Sequence, residues 1–273
     1  MVHELVHALT DQHFGFYDTF VELLDDDRFE EAAALQALAE GDATYFQLVY
    51  LQELPVAEQF ALATEALDVE TSSLDSAPEY VEADLLFPYD SGYQFVLELV
   101  DEGGIAAVDE AYVDLPVTTE QILHPDRYEA GDDGFEVFIP ATPVSGWEVA
   151  EEGIFGEWGW RLLMLESVPS GDLTQASTGW RGDAFRVLTS GDDVAFVLGY
   201  QGETERDAIE LTQAMIDHIR GAMDVGDGVG EGGGLLFEGP AGYAFLDREG
   251  DALTFIASTS VSAGEAIRSS LGR

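Results

Sequence analysis

Fifty-five aspartates and glutamates face only ten cationic side chains, all of them arginine, for a formal net charge of −45. A compact chain with that charge repels itself, and it also repels nucleic acid and anionic membranes. That repulsion becomes tolerable where it is screened, and at about 1 M salt the Debye length has shrunk to about 3 Å. Apolar residues nevertheless make up 46% of the chain, an ordinary share for a globular protein. A normal core beneath a lysine-free acidic surface reads as adaptation to concentrated salt; an acidic protein at ordinary salt is the alternative. In either case the charge describes the surface and says little about a substrate.

The absence of cysteine excludes disulfides and thiol catalysis. No run of about 18 apolar residues offers a membrane span, and no signal peptide is visible. At 273 residues, the chain suffices for one large domain or two modest ones. Apolar spacing predicts helices over Val2–Phe14, over Phe29–Leu54 with an interruption at Gly41, and over Val56–Leu67, Tyr80–Leu86, Tyr93–Val100 and Ile105–Tyr112. A short helical turn is expected at Thr119–Leu123, stopped before Pro125.

After Ala130 the composition shifts. Gly131-Asp132-Asp133-Gly134 marks a loop, Phe135–Ile139 reads as a short strand, and Ile154–Val168 as an apolar helix. Ala184–Thr189 and Val194–Tyr200 form a predicted hairpin, followed by a long amphipathic helix over Glu203–Met223. The glycine-rich stretch from Gly226 to Gly234 reads as a surface loop. Strands are expected at Leu235–Glu238, Tyr243–Asp247 and Ala252–Ser258, with a closing helix at Ala263–Leu271.

The chemistry gathers at the start of the chain, in His3-Glu4-Leu5-Val6-His7. Two histidines at i and i+4 share one helix face, a spacing that lets two imidazole nitrogens reach one zinc ion, with Glu4 held beside them as general base for an attacking water. Zinc needs a third protein ligand. His13 turns away from that face, His124 and His218 are distant in sequence, and no His-x-x-Gly-x-x-His continuation follows. Glu40, in Ala39-Glu40-Gly41-Asp42-Ala43, is the better candidate, although by position alone a glutamate in so acidic a chain more often lies on a solvated helix face. Asp11 and Asp42 offer themselves as partners for the imidazoles or as helix caps. His124 and Tyr128 are candidates for stabilising an oxyanion, or simply for packing around Pro125. Trp147, Trp158, Trp160 and Trp180 line either a cleft or a core.

His3 through Phe14, followed by Glu40-Gly41-Asp42-Ala43-Thr44, resembles a gluzincin-like family of zinc metallopeptidases found among haloarchaeal surface proteins and some bacterial secreted proteins. Further similarity lies in Thr118–Tyr128 and in Gly179-Trp180-Arg181-Gly182-Asp183-Ala184-Phe185, so that it spans most of the chain up to about Glu210. The resemblance implies His3, His7 and Glu40 as zinc ligands, Glu4 as general base, a peptide or protein substrate, and an extracellular or cell-surface location. The apolar spacing along the chain reads as an α+β fold, with a mainly helical first half (residues 1–130), zincin-like by the resemblance, and a smaller α+β part with antiparallel strands (residues 131–273). Zincins generally place an edge strand and a helix before the motif, whereas here only Met1 and Val2 precede it; the expectation is of a longer parent chain. A surface or binding protein that keeps the fold without turnover is the alternative function.

Overall fold

The computed structural model describes residues 1–66, 76–140 and 144–272. The chain divides into two compact units, Met1–Asp133 and Gly134–Arg273. Among the described residues the first unit is helical throughout, and the second builds helices onto a seven-stranded antiparallel sheet. The fold is α+β with a helical first half. No helix among the described residues is long and apolar enough to cross a membrane.

The first unit opens with α1 (Val2–Phe14), which ends at Gly15 in the left-handed conformation, φ 68°. A glycine there costs no Cβ strain and turns the chain directly into α2 (Phe16–Asp25). The central element is α3 (Phe29–Glu53). Ala32, Ala34, Leu35, Ala37, Leu38, Ala39, Gly41 and Ala43 are all buried along it. Small residues on every side let α1, α2, α5 (Glu79–Gly103) and α7 (Thr119–Leu123) pack against one helix. Between them run α4 (Val56–Ala66) and α6 (Ile105–Ala111), and α8 (Pro125–Ala130) follows α7. The end expected for α4 at Leu67 lies outside the described residues.

Two expectations for this unit need correction. Gly41 does not interrupt α3, which runs through it. Tyr80–Leu86 and Tyr93–Val100 are parts of one helix, α5, that continues through Pro88. Proline removes one ladder hydrogen bond, but Phe87 and Pro88 are buried together with Phe95, Val96 and Leu99, and that burial offsets the loss. The turn before Pro125 lies where expected, and Pro125 then starts α8 at a position where its missing N–H costs nothing. The Thr118 side chain accepts from Gln121 N while Gln121 Oε1 accepts from Thr118 N, a reciprocal cap on α7. Buried Glu30, in the first turn of α3, accepts from Thr119 N at 2.6 Å and from Thr119 Oγ1 at 2.8 Å, tying α3 to α7.

The second unit contains β1 (Glu148–Gly153), α9 (Gly156–Met164), α10 (Ser170–Ser177), β2 (Trp180–Ser190), β3 (Asp193–Gly202), α11 (Glu205–Met223), β4 (Val229–Glu231), β5 (Gly234–Gly239), β6 (Gly242–Glu249), β7 (Ala252–Ser258) and α12 (Val261–Ser270). The sheet order is β1-β2-β3-β7-β6-β5-β4. Its central strands are buried on both faces. Leu198, Tyr200, Ala244, Leu246, Leu253 and Phe255 meet Trp160, Met164, Leu211 and Met215 from α9 and α11. Their neighbours Val197, Tyr243, Phe245 and Ile256 face the other way, onto Ile267 of α12 and Ile139. Alternate residues therefore pack into two different cores, as the period of two requires.

The predicted hairpin is present, with Ser190 opposite Asp193 and Gly191 at φ 63° in the turn. Phe135–Ile139, by contrast, is not a strand. It runs beside β2, where Phe135 N donates to Arg181 O at 2.6 Å, and a Cβ on Gly182 would lie 2.0 Å from Phe135 O. Residues 226–234 are not purely loop, since Val229–Glu231 form β4. The helix expected over Ile154–Val168 is confined to Gly156–Met164, and β1 and α10 were not foreseen.

Candidate metal centre

The period of α1 places His3 and His7 one above the other, and their Nε2 atoms lie 3.0 Å apart. Glu40, halfway along α3, turns Oε2 to both, at 2.9 Å from His3 Nε2 and 3.3 Å from His7 Nε2. The three side chains are 16%, 21% and 17% exposed in the order His3, His7, Glu40, screened from bulk water but open to an ion. Three lone-pair atoms this close repel one another unless a proton or a cation sits among them. With metal–ligand distances of about 2.0–2.1 Å, the edges of a tetrahedral zinc shell are roughly 3.3 Å long. The donor set and its spacing therefore fit such an ion. Among the described residues, this is the one group of three His, Cys, Asp or Glu side chains close enough to hold a metal.

The electrostatics agree with that geometry. The Glu40 hydrogen bond raises the His7 pKa above its ordinary value, against burial, which lowers it; the charges of Glu40, Glu4 and Asp42 add to the rise. Burial works to raise the Glu40 pKa, but hydrogen bonds and charge from His7 and His3 prevail, and the carboxyl is held below its usual range. Glu4 is exposed on α1. Its charge contributes to the rise of the pKa at His7 and at Tyr89 of α5.

Asp42 is the anchor of the arrangement. It is 4% exposed, and its Oδ2 accepts from Thr10 Oγ1 at 3.4 Å and from Tyr112 Oη at 3.3 Å. Thr10 lies on α1, one turn beyond His7, and Tyr112 just past α6. One carboxylate thus joins the helix carrying the histidines to the helix carrying Glu40. Burial pushes the Asp42 carboxyl up to about 6, against the hydrogen bonds from Tyr112 and Thr10. Phe14 stacks on Tyr112 with ring centroids 5.0 Å apart, adding an apolar clamp on α1.

The other candidates take different places. Asp11 accepts from Tyr17 N at 3.0 Å and holds the α1–α2 corner. Tyr128 donates its hydroxyl to Asp114 O at 2.7 Å and meets Phe95 edge to face. His124 stands at the junction of α7 and α8. His13 lies edge-on to Phe14, and His218 Nδ1 is 2.7 Å from Ser167 Oγ in the second unit. Trp160 and Trp180 belong to the core of that unit, where both indoles donate to Asp183 Oδ2, at 2.9 and 2.7 Å. Sequence reading did not single out Tyr89. Its ring stacks on His3, with centroids 6.1 Å apart and planes 25° from parallel. It lies 49 positions beyond Glu40, and no local pattern links the two.

Residues 143–268 match a family described as a domain of unknown function (DUF8575). The match falls in the second unit and covers less than half of the chain. No curated protein and no solved structure matches the chain.

Proposed function

We propose that the chain is a zinc-dependent metallopeptidase whose metal is held by His3, His7 and Glu40. The observation that carries this reading is the convergence of the two Nε2 atoms and Glu40 Oε2 at 2.9–3.3 Å, with Glu4 next to His3 on the same helix. Two imidazoles and one carboxylate form a three-ligand set of the kind found in catalytic zinc sites, which keep one position open. An ion bound there would supply Lewis acidity, polarising a substrate carbonyl and making a water easier to deprotonate. Glu4 is exposed and makes no hydrogen bond or ion pair among the described residues, so its carboxylate would be available to accept a proton from the attacking water and pass it to the departing amine. The acidic surface and the resemblance of the His3–Phe14 and Glu40–Thr44 segments support an exported, salt-adapted protein acting on peptides.

The test is Glu4→Gln in the whole chain, in molar salt. The variant is expected to bind zinc as the unaltered protein does, yet to cleave a mixed peptide library at least about 100-fold more slowly. Equal cleavage by both proteins would remove Glu4 from the mechanism. A zinc-loaded unaltered protein that cleaves no peptide would favour a binding protein that has kept the site.

A further inference from the structure

Phe16 meets His7 although nine positions separate them. On an unbroken helix it would lie about 13 Å farther along the axis and half a turn round, on the side away from the histidines. Gly15 prevents that. At φ 68° it ends α1 and turns the chain into α2, and Asp11 Oδ1, accepting from Tyr17 N at 3.0 Å, holds the corner. The Phe16 ring comes to rest with its centroid 6.0 Å from that of His7 and the two planes 43° apart. It also meets Tyr112 at 6.2 Å and packs against the buried Leu23, Ala32 and Leu35. One ring thus joins the His7 imidazole to the apolar core beneath α2 and α3.

A metal-ligating histidine ordinarily has its second ring nitrogen hydrogen-bonded, which fixes the orientation of the ring. Among the described residues, the side-chain hydrogen bonds of His7 all run through Nε2, to His3 and to Glu40, and Nδ1 has none. The protein holds this imidazole by packing instead. We propose that Phe16 is a positioning residue of the metal centre, its ring standing in for the outer hydrogen bond and keeping His7 Nε2 turned toward His3 and Glu40. The proposal rests on reading His3, His7 and Glu40 as metal ligands. An imidazole with nothing against it samples several rotamers, and a neighbouring ring at roughly 4.5–7 Å removes that freedom at a net gain. An imidazole bound to a cation also carries part of the positive charge, and attraction to an aromatic ring reaches about 6 Å. The contact therefore favours both the oriented imidazole and its metal-bound form.

The experiment is a Co2+ titration of the whole chain in molar KCl, read by visible absorption, for the unaltered protein, Phe16→Leu, Phe16→Tyr and Phe20→Leu. Phe20 packs against the same core as Phe16 but makes no ring contact with His7 among the described residues, so its variant reports what loss of core packing does alone. Phe16→Leu is expected to bind Co2+ about 10-fold more weakly and to change the intensity of the cobalt bands. Phe16→Tyr, which keeps the ring, and Phe20→Leu are expected to bind as the unaltered protein does. Thermal midpoints without metal establish that each variant is folded at the temperature of the titration; should Phe16→Leu not fold, Phe16→Met carries the same prediction. Unchanged affinity and spectrum in Phe16→Leu, an equal loss in Phe20→Leu, or no recovery in Phe16→Tyr would each overturn the role of Phe16 and leave the triad standing. An unaltered protein that takes up no Co2+ would overturn the metal reading itself, and this proposal with it.

Discussion

Gly41 and Asp42 ligate nothing, yet they determine where Glu40 sits. Gly41 admits the backbone of α5, and Asp42 fastens α1 and Tyr112 to α3. Gly41→Ala would drive a methyl group into Gly92 O. The expected result is a loss of about 3 kcal/mol or more, at the upper end for overpacking because the obstacle is backbone, together with weaker metal uptake; denaturant unfolding and elemental analysis check both. An unchanged unfolding midpoint would mean that α3 and α5 do not need the close approach. At this scale the sequence was only partly legible. His3 and His7 are readable because the helical period alone brings i and i+4 together. Glu40 is not, since one glutamate among so many carboxylates carries no positional signal and only the surrounding Glu-Gly-Asp-Ala resemblance points to it. Tyr89 leaves no trace in sequence because its place depends on a glycine-to-glycine crossing.

In the second unit a single buried carboxylate fastens several elements together. Asp183 of β2 accepts from Phe155 N and Gly156 N, at the start of α9, and from the indoles of Trp160 and Trp180. Asp183→Ala leaves these donors unpaired and should cost about 3 kcal/mol. Asp183→Asn keeps an oxygen at the Oδ2 position and disturbs mainly the bond from Phe155, so it should cost less. Burial pushes the Asp183 carboxyl up to about 6, against its four hydrogen bonds. A folded-state pKa above the unfolded one means that the folded protein takes up the proton first. The contribution of Asp183 to stability is therefore fully present below about 3.8 and is lost as pH rises through about 6. Asn does not titrate, so the cost of Asp183→Asn should be greater at pH 4 than at pH 7 in denaturant unfolding; a cost independent of pH would contradict the shift. Whole elements were legible where burial imposes a period, as in α11, the β2–β3 hairpin and the strands β5 to β7. They were illegible where it does not. Strand β1 is an exposed, glutamate-rich edge, α10 has few apolar residues in its Ser-Gly-Asp-Leu-Thr-Gln-Ala-Ser sequence, and β4 lies within a glycine-rich run.

For the molecule as a whole, the two units divide the chemistry. The candidate ligands and general base all lie in Met1–Asp133, and the match to a family of unknown function lies in Gly134–Arg273. Both carry the acidic surface. Lowering KCl from about 2 M to 0.1 M lengthens the Debye screening distance to about 10 Å and should lower the thermal midpoint steeply. A midpoint indifferent to salt would remove the case for a salt-adapted surface. Whether His3, His7 and Glu40 hold zinc is decided by the zinc content, by elemental analysis, of the folded protein purified in molar salt beside His3→Ala and Glu40→Ala. About one zinc per chain in the unaltered protein, lost from both variants, is the predicted result. A folded protein without metal, or with metal that persists in both variants, would contradict it.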